Sequence, residues 1–205
     1  PTIFVKGSVI IPKLIAQISS YKWSKFIVKP VGGCEGHGCG FFTTKEIIEE
    51  PTLLMEYFIE HAEFYEEFLV QRLTEGFKKY GEVKSFWIDG SYRYAIVTKD
   101  TPYGESIVKP LTDKKIMDVC KPLAVKTIKA IPKLVFNGKK TDPVMTRIDF
   151  VCCIDNKPFK SLDYYLNEIE EGGLAGSYTN FDNIHYPIVD ILADAYVRKA
   201  TELLG

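Results

Sequence analysis

Three carboxylates and an arginine carry the chemistry most readily read from this sequence of 205 residues. In VMTRIDFVCCID a strand-like alternation places Arg147 and Asp149 on one face, with Ile148 and Phe150 on the other. In LDYYLNEIE the same period puts Glu168 and Glu170 together. If the two runs pair as a hairpin whose turn starts at Asp155-Asn156, Asp149, Glu168 and Glu170 crowd one surface beside Arg147, and the opposite surface is apolar. Carboxylates crowded in this way raise one another's pKa unless a cation sits among them. A hard divalent ion with oxygen ligands resolves the conflict, Mg2+ first and Mn2+ as its substitute. An ordinary solvated face is the other reading, and spacing alone leaves both open. On the metal reading, Asp149→Asn or Glu168→Gln removes a repelling charge, so stability without metal is expected to hold or rise.

A second cluster begins at Lys29, on the β-rich run FIVKPV, and continues into a loop carrying Gly32, Gly33, Gly36, Gly38 and Gly40. Glycines let backbone N–H groups approach phosphate oxygens, and the lysine adds a point charge. The pattern is neither a Walker A loop nor a dinucleotide fingerprint. A structural glycine turn explains it equally well. Cys34, His37 and Cys39 lack the second ligand pair of a closed zinc site. Further along, GEVKSFWI and SYRYAIVTK flank Asp89-Gly90, a pair suited to a type I′ hairpin. Counting from that turn sets Phe86 opposite Arg93 and Lys84 opposite Ala95. Lys84, Arg93 and Lys99 then project together, a cationic face suited to an anion.

The remaining elements must hold these groups in place. Glu67 to Leu73 reads as a strand, and a helical stretch capped by Thr44 runs to about His61, divided at Pro51. A helix is expected from Pro122, at its first position, to Leu134, and another from Pro187 to Gly205. A hydrophobic content of 46% supplies a core for one domain or two small lobes. With 26 basic against 27 acidic residues, no global field favours nucleic acid or an anionic membrane. No apolar run reaches the roughly 20 residues of a membrane span. Five cysteines, an odd number, suit a reducing cytoplasm better than a disulfide framework.

Taken in order, FIVKP with its glycine loop, FLVQRL, GEVKSFWIDGSYRYAIVTK, RIDFV and YYLNEIE resemble the ATP-grasp superfamily, the fold of glutathione synthetase and D-alanine:D-alanine ligase. The resemblance spans roughly Pro1 to Tyr178. It implies an α+β fold of two lobes, 1–73 and 74–205, whose antiparallel sheets hold ATP between them. It also implies an ATP-dependent ligase that joins a carboxylic acid to an amine or thiol through an acyl phosphate, acting on small molecules or a peptide. Lys29 resembles the strand lysine on the ATP phosphates, and Gly32, Gly33, Gly36 and Gly38 resemble the loop that closes over them. Gln71, Arg72 and Leu73 resemble the adenine-binding hinge, and Glu82 the acid that holds ribose. Lys84 and Lys99 stand where relatives carry arginines, which keeps the charge but loses the bidentate fork. Asp149, Glu168 and Glu170 match the Mg2+ ligands, with Glu170 in place of a frequent Asn, and Arg147 is the candidate for holding the transferred phosphoryl group. The family's upstream helical lysine and substrate domain find no counterpart here. This departure favours a second reading, an ATP-binding module without ligase activity that serves a structural or regulatory role.

Overall fold

The computed structural model describes residues 1–6, 8–33, 36–100, 106–136, 138–153, 163–171 and 188–204. The chain forms two compact units, Pro1–Thr74 and Glu75–Gly205. Both are built from helices and antiparallel sheets, so the fold is α+β as expected.

In the first unit, strands β1 (Thr2–Lys6), β2 (Lys25–Pro30), β3 (Gly40–Thr43) and β4 (Glu67–Arg72) form a sheet in the order β1-β4-β2-β3. Alternation dictates what each face carries. Phe26 and Val28 of β2 and Phe68 and Val70 of β4 point into the core, with Val28 opposite Val70. Helices α1 (Ile11–Ser20), α2 (Thr44–Glu49) and α3 (Thr52–His61) contribute Leu14, Ile18, Ile47, Leu54 and Phe58 to the same core. The residues between, Ile27 and Lys29, therefore fall on the other face of the sheet.

The helix break at Pro51 is as expected, but the cap is one residue earlier than Thr44. Thr43 Oγ1 accepts from the Glu46 N–H at 3.1 Å, while Thr44, inside the helix, donates its hydroxyl to the Trp23 carbonyl.

In the second unit, β5 (Glu82–Ile88), β6 (Ser91–Asp100), β7 (Ser106–Pro110), β10 (Met145–Cys153) and β11 (Asp163–Glu171) form a sheet in the order β11-β10-β5-β6-β7. Helix α4 (Glu75–Tyr80) precedes β5; α5 (Lys114–Ala130) and a small hairpin, β8 (Leu134–Phe136) with β9 (Lys139–Thr141), precede β10; α6 (Ile188–Leu204) ends the chain. Val83, Trp87, Ile148 and Phe150 pack with Cys120 and Ala124 of α5, and this is the apolar face expected behind Asp149. The opposite face is divided. At one end Ile88 packs with Ile188 and Ala195 of α6; towards the other lie Glu82, Lys84, Arg147 and Asp149.

Two expectations change. Pro122 lies inside α5 rather than at its start, because Asp113 caps the helix well upstream by accepting from the Lys115 N–H at 2.8 Å. Proline leaves the Asp118 carbonyl without its helical donor, a loss solvent can make good because Asp118 is exposed. The helix ends before Leu134: Ile131 is extended, the conformation favoured ahead of Pro132.

The second change is in the β5–β6 hairpin. Asp89 and Gly90 both have positive φ, as a type I′ turn requires, and Ile88 pairs with Ser91. A bulge then shifts the register, so that Phe86 faces Tyr94 and Lys84 faces Ile96. The shift lets Phe86 stack on Tyr94 at 4.4 Å and Trp87 meet Tyr92 edge-on at 5.6 Å, contacts each worth about 0.5–1.5 kcal/mol. The three-cation face is consequently lost. Arg93 becomes the extra residue of the bulge, and Lys99 lies on the face opposite Lys84. The Asp155-Asn156 turn, Pro187 and Gly205 lie outside the described residues.

Candidate functional site

The expected β10–β11 hairpin forms, with Arg147 opposite Glu170 and Asp149 opposite Glu168. On its other side β10 pairs with β5, which sets Asp149 opposite Lys84 and Val151 opposite Glu82. Four ionised side chains are thereby taken out of water: Asp149 is 0% exposed, Lys84 and Arg147 5% each, and Glu82 7%. Burying charge is costly unless each group is paired. Lys84 Nζ contacts Glu82 Oε2 and donates to Asp149 Oδ2 at 2.8 Å. Arg147 grips Asp149 from the other side, with Nε donating to Oδ1 at 2.9 Å and Nη2 to Oδ2 at 2.9 Å. Two anions and two cations balance.

Electrostatics follows from this packing. Burial pushes the Glu82 carboxyl above its usual range, although Lys84 pulls against it. Burial likewise works to lower Lys84 and Arg147, but the adjoining carboxylates outweigh it and both end raised, firmly cationic.

Glu168 reaches the cluster from the exposed strand β11. Carboxylate oxygens of Glu82, Asp149 and Glu168 lie within 4.8 Å of one another. Ligands on one Mg2+ ion, bonded at about 2.0–2.1 Å, stand roughly 3–4 Å apart. A small movement of the exposed Glu168 closes the difference, so these residues fit a hard divalent cation. Glu170, half-buried, instead faces Arg147 Nη2 at 3.6 Å. The structure thus brings Glu82 beside Asp149 and Glu168, where the sequence reading had Glu170.

Sequence reasoning missed Asn167. A register shift between Asp149 and Phe150 makes Asn167 the extra residue of β11, and its Nδ2 donates to Glu82 Oε1 at 2.6 Å. The signal was available: Asn is a poor strand former and interrupts the alternation of YYLNEIE. Lys99 is exposed and donates to the Lys79 carbonyl at 2.9 Å, at the end of α4 and away from Lys84.

In the first unit Lys29 is half-buried beside Leu69. The glycine segment joins β2 to β3, and its glycines serve two ends. Gly32 and Gly36 have φ of +79° and +74° with open space where a Cβ would stand, so they are there for backbone freedom. Gly38 also has positive φ, but a Cβ there would lie 2.9 Å from Pro30, and Tyr57 holds its carbonyl by a hydrogen bond of 2.6 Å. No local pattern pointed to this anchor on α3. Gly33 lies in the same segment, and Cys34 lies outside the described residues. At the end of β4, Gln71 Nε2 donates to Thr2 Oγ1 at 3.0 Å, Arg72 is exposed, and the Leu73 N–H is bonded to the Lys25 carbonyl at 3.0 Å.

Two α+β units, the first with its glycine hairpin and the second with its carboxylate-bearing antiparallel sheet, are those of the ATP-grasp fold, and the chain has that fold. Solved structures of the same architecture include D-cycloserine synthetase DcsG, at TM-score 0.66 and 16% identity over 97% of this chain and 64% of its own. D-alanine--D-alanine ligase from Bacillus anthracis complexed with ATP matches at TM-score 0.65 and 14% identity, over 98% of this chain and 61% of that one. The ATP-grasp ligase PsnB, complexed with a phosphomimetic variant of its minimal precursor, Mg and ADP, matches at 0.61 and 15%, over 98% and 53%. The chain therefore spans less than two thirds of the length of these structures. No protein-family model and no curated protein matches the sequence. Among the described residues no helix is long and apolar enough to cross a membrane.

Proposed function

We propose that the chain is the ATP-binding catalytic portion of a ligase that activates a carboxylate as an acyl phosphate and passes the acyl group to an amine or a thiol. The observation that carries this reading is the buried, charge-balanced cluster of Glu82, Lys84, Arg147 and Asp149, with Glu168 in reach, on an ATP-grasp fold. The neighbours that hold ATP, or Mg and ADP, support nucleotide and metal use.

In this reading a carboxylate oxygen of the substrate attacks the γ-phosphorus, the bond to the bridging oxygen breaks, and ADP leaves with its electron pair. The nucleophile then attacks the acyl carbon, loses its proton, and phosphate departs. No protein nucleophile is needed; the work is positioning and charge neutralisation. Asp149, Glu168 and Glu82 would hold a divalent ion, which would supply countercharge to phosphate oxygens. Lys29 and the N–H groups around Gly32 to Gly38 bind phosphate, Lys84 and Arg147 steady the charge that moves during transfer, and Lys99 stays a cation outside that cluster. At the Gln71–Leu73 stretch an adenine would use backbone groups other than the committed Leu73 N–H, and the bonds of Glu82 to Lys84 and Asn167 favour a place at the metal over the ribose. Small carboxylic acids and amines, or a peptide, are the expected substrates. The D-alanine--D-alanine ligase neighbour favours testing amino acids first.

ATP with Mg2+ is expected to raise the unfolding midpoint by several degrees, since a ligand at a hundred times its Kd adds about 2.7 kcal/mol. A melting curve unmoved by millimolar ATP and Mg2+ would overturn the assignment. ADP release stimulated by a carboxylic acid and an amine together separates a ligase from a module that only binds.

Lys29→Met is expected to weaken ATP binding roughly 10- to 100-fold, the range of a charge-assisted contact, and to leave adenosine binding unchanged. Calorimetric titration of both ligands reads the difference. Equal losses would mean that the lysine packs rather than binds phosphate.

A further inference from the structure

We propose that the Lys84 ammonium is the metal site's own stand-in cation, so that a divalent ion loads poorly until nucleotide phosphate draws the ammonium away. The inference rests on reading Asp149 and Glu168 as metal ligands. Its ground is geometric: Lys84 Nζ touches Glu82 Oε2 and lies 2.8 Å from Asp149 Oδ2, bridging two of the three carboxylates gathered within 4.8 Å. An ion bonded at about 2.1 Å to those same oxygens would stand within roughly 4 Å of Nζ, where a dication and an ammonium repel strongly.

The rest of the cluster holds Lys84 there. Asn167 Nδ2 fixes Glu82 by its other oxygen, Oε1, and turns Oε2 to the lysine. Arg147 fixes Asp149 from the far side. Because Lys84 and Arg147 already balance Glu82 and Asp149, an incoming dication meets a buried set with no charge left to neutralise. A polyphosphate changes this. It brings its own negative charge and offers Lys84 another partner, and the carboxylates are released to the ion. Metal and nucleotide then bind with positive coupling, each raising the other's affinity by the same factor.

The probe is Mn2+ alone, its binding to the nucleotide-free full chain measured by electron paramagnetic resonance. Lys84→Gln is expected to bind Mn2+ at least tenfold more tightly than the wild type, and Lys84→Arg, which keeps the cation, is expected to bind as weakly as the wild type. Mg2+ without ATP should raise the melting midpoint of Lys84→Gln and leave the wild type unmoved. If Lys84→Gln does not fold, Glu82→Gln is compared with the double variant Glu82→Gln/Lys84→Gln. The double variant keeps the buried charge balanced, and it should bind Mn2+ at least tenfold more tightly than Glu82→Gln alone. Unchanged or weaker Mn2+ affinity on removing Lys84 overturns the proposal while leaving the metal ligands in place. Failure of Mn2+ to bind either protein even with ATP overturns the ligand assignment, and this proposal with it.

Discussion

Asp149→Asn is expected to cost about 3–5 kcal/mol of stability in the absence of any metal, and to abolish divalent-ion binding as well. Asp149 is wholly buried and is the shared partner of Lys84 and Arg147; neutralising it takes from both buried cations their common buried counter-ion and leaves Arg147 the longer contact with Glu170 at 3.6 Å. The sign is opposite to that expected from the sequence, where crowded carboxylates predict that one fewer charge helps. The repulsion exists, but Lys84 and Arg147 already answer it. Glu168→Gln, on an exposed side chain, should change metal-free stability by less than about 0.5 kcal/mol and lose metal binding. Denaturant unfolding in the presence of a chelator reads both variants. Wild-type stability for Asp149→Asn would show that the buried pairs contribute no net stability.

Gly76→Ala is expected to destabilise by about 3 kcal/mol or more, although alanine is the better helix former by about 1 kcal/mol. Gly76 lies in α4 against β10, and a Cβ there would stand 1.6 Å from the Cys152 carbonyl oxygen and 2.5 Å from its carbon. Both obstacles are backbone, so no side chain can turn aside; the helix must back away from the strand. Cys152 follows Asp149 on that strand, so weakened metal binding should accompany the loss. Thermal unfolding together with hydrogen exchange over residues 75–80 checks it, and a variant as stable as the wild type would mean that α4 docks less closely than the contact implies.

What the sequence revealed was governed by how local the determining interactions are. The strand faces of Arg147, Asp149, Glu168 and Glu170, the type I′ turn at Asp89-Gly90 and the break at Pro51 follow from periodicity and backbone chemistry within a few residues, and they were legible. Arg93's place was not, because the bulge there is settled by pairing of Phe86 with Tyr94 and Trp87 with Tyr92, an agreement between two strands that counting from the turn overlooks. Glu82 was singled out only through the family resemblance, as an acid for ribose, and its neighbours were not legible. They depend on β5 lying beside β10, strands separated in the chain by β6, β7, α5, β8 and β9. Pro122 misled because a favourable first-turn residue outweighed a better cap upstream in Asp113.

Among the described residues, the strand that carries the exposed half of the carboxylate cluster is also the edge of its sheet. On β11, Tyr165, Leu166 and Ile169 are exposed, and a β-rich run with apolar side chains at a sheet edge invites pairing with another chain. Glu168, Glu170 and Glu171 on the same strand discourage it by mutual repulsion between copies. These acids therefore act as gatekeepers of solubility, and Glu168 is a candidate ligand as well. Neutralising them in concert should show first as aggregation at high protein concentration, on a protein whose interior is intact, with light scattering rising well before any change in the unfolding midpoint.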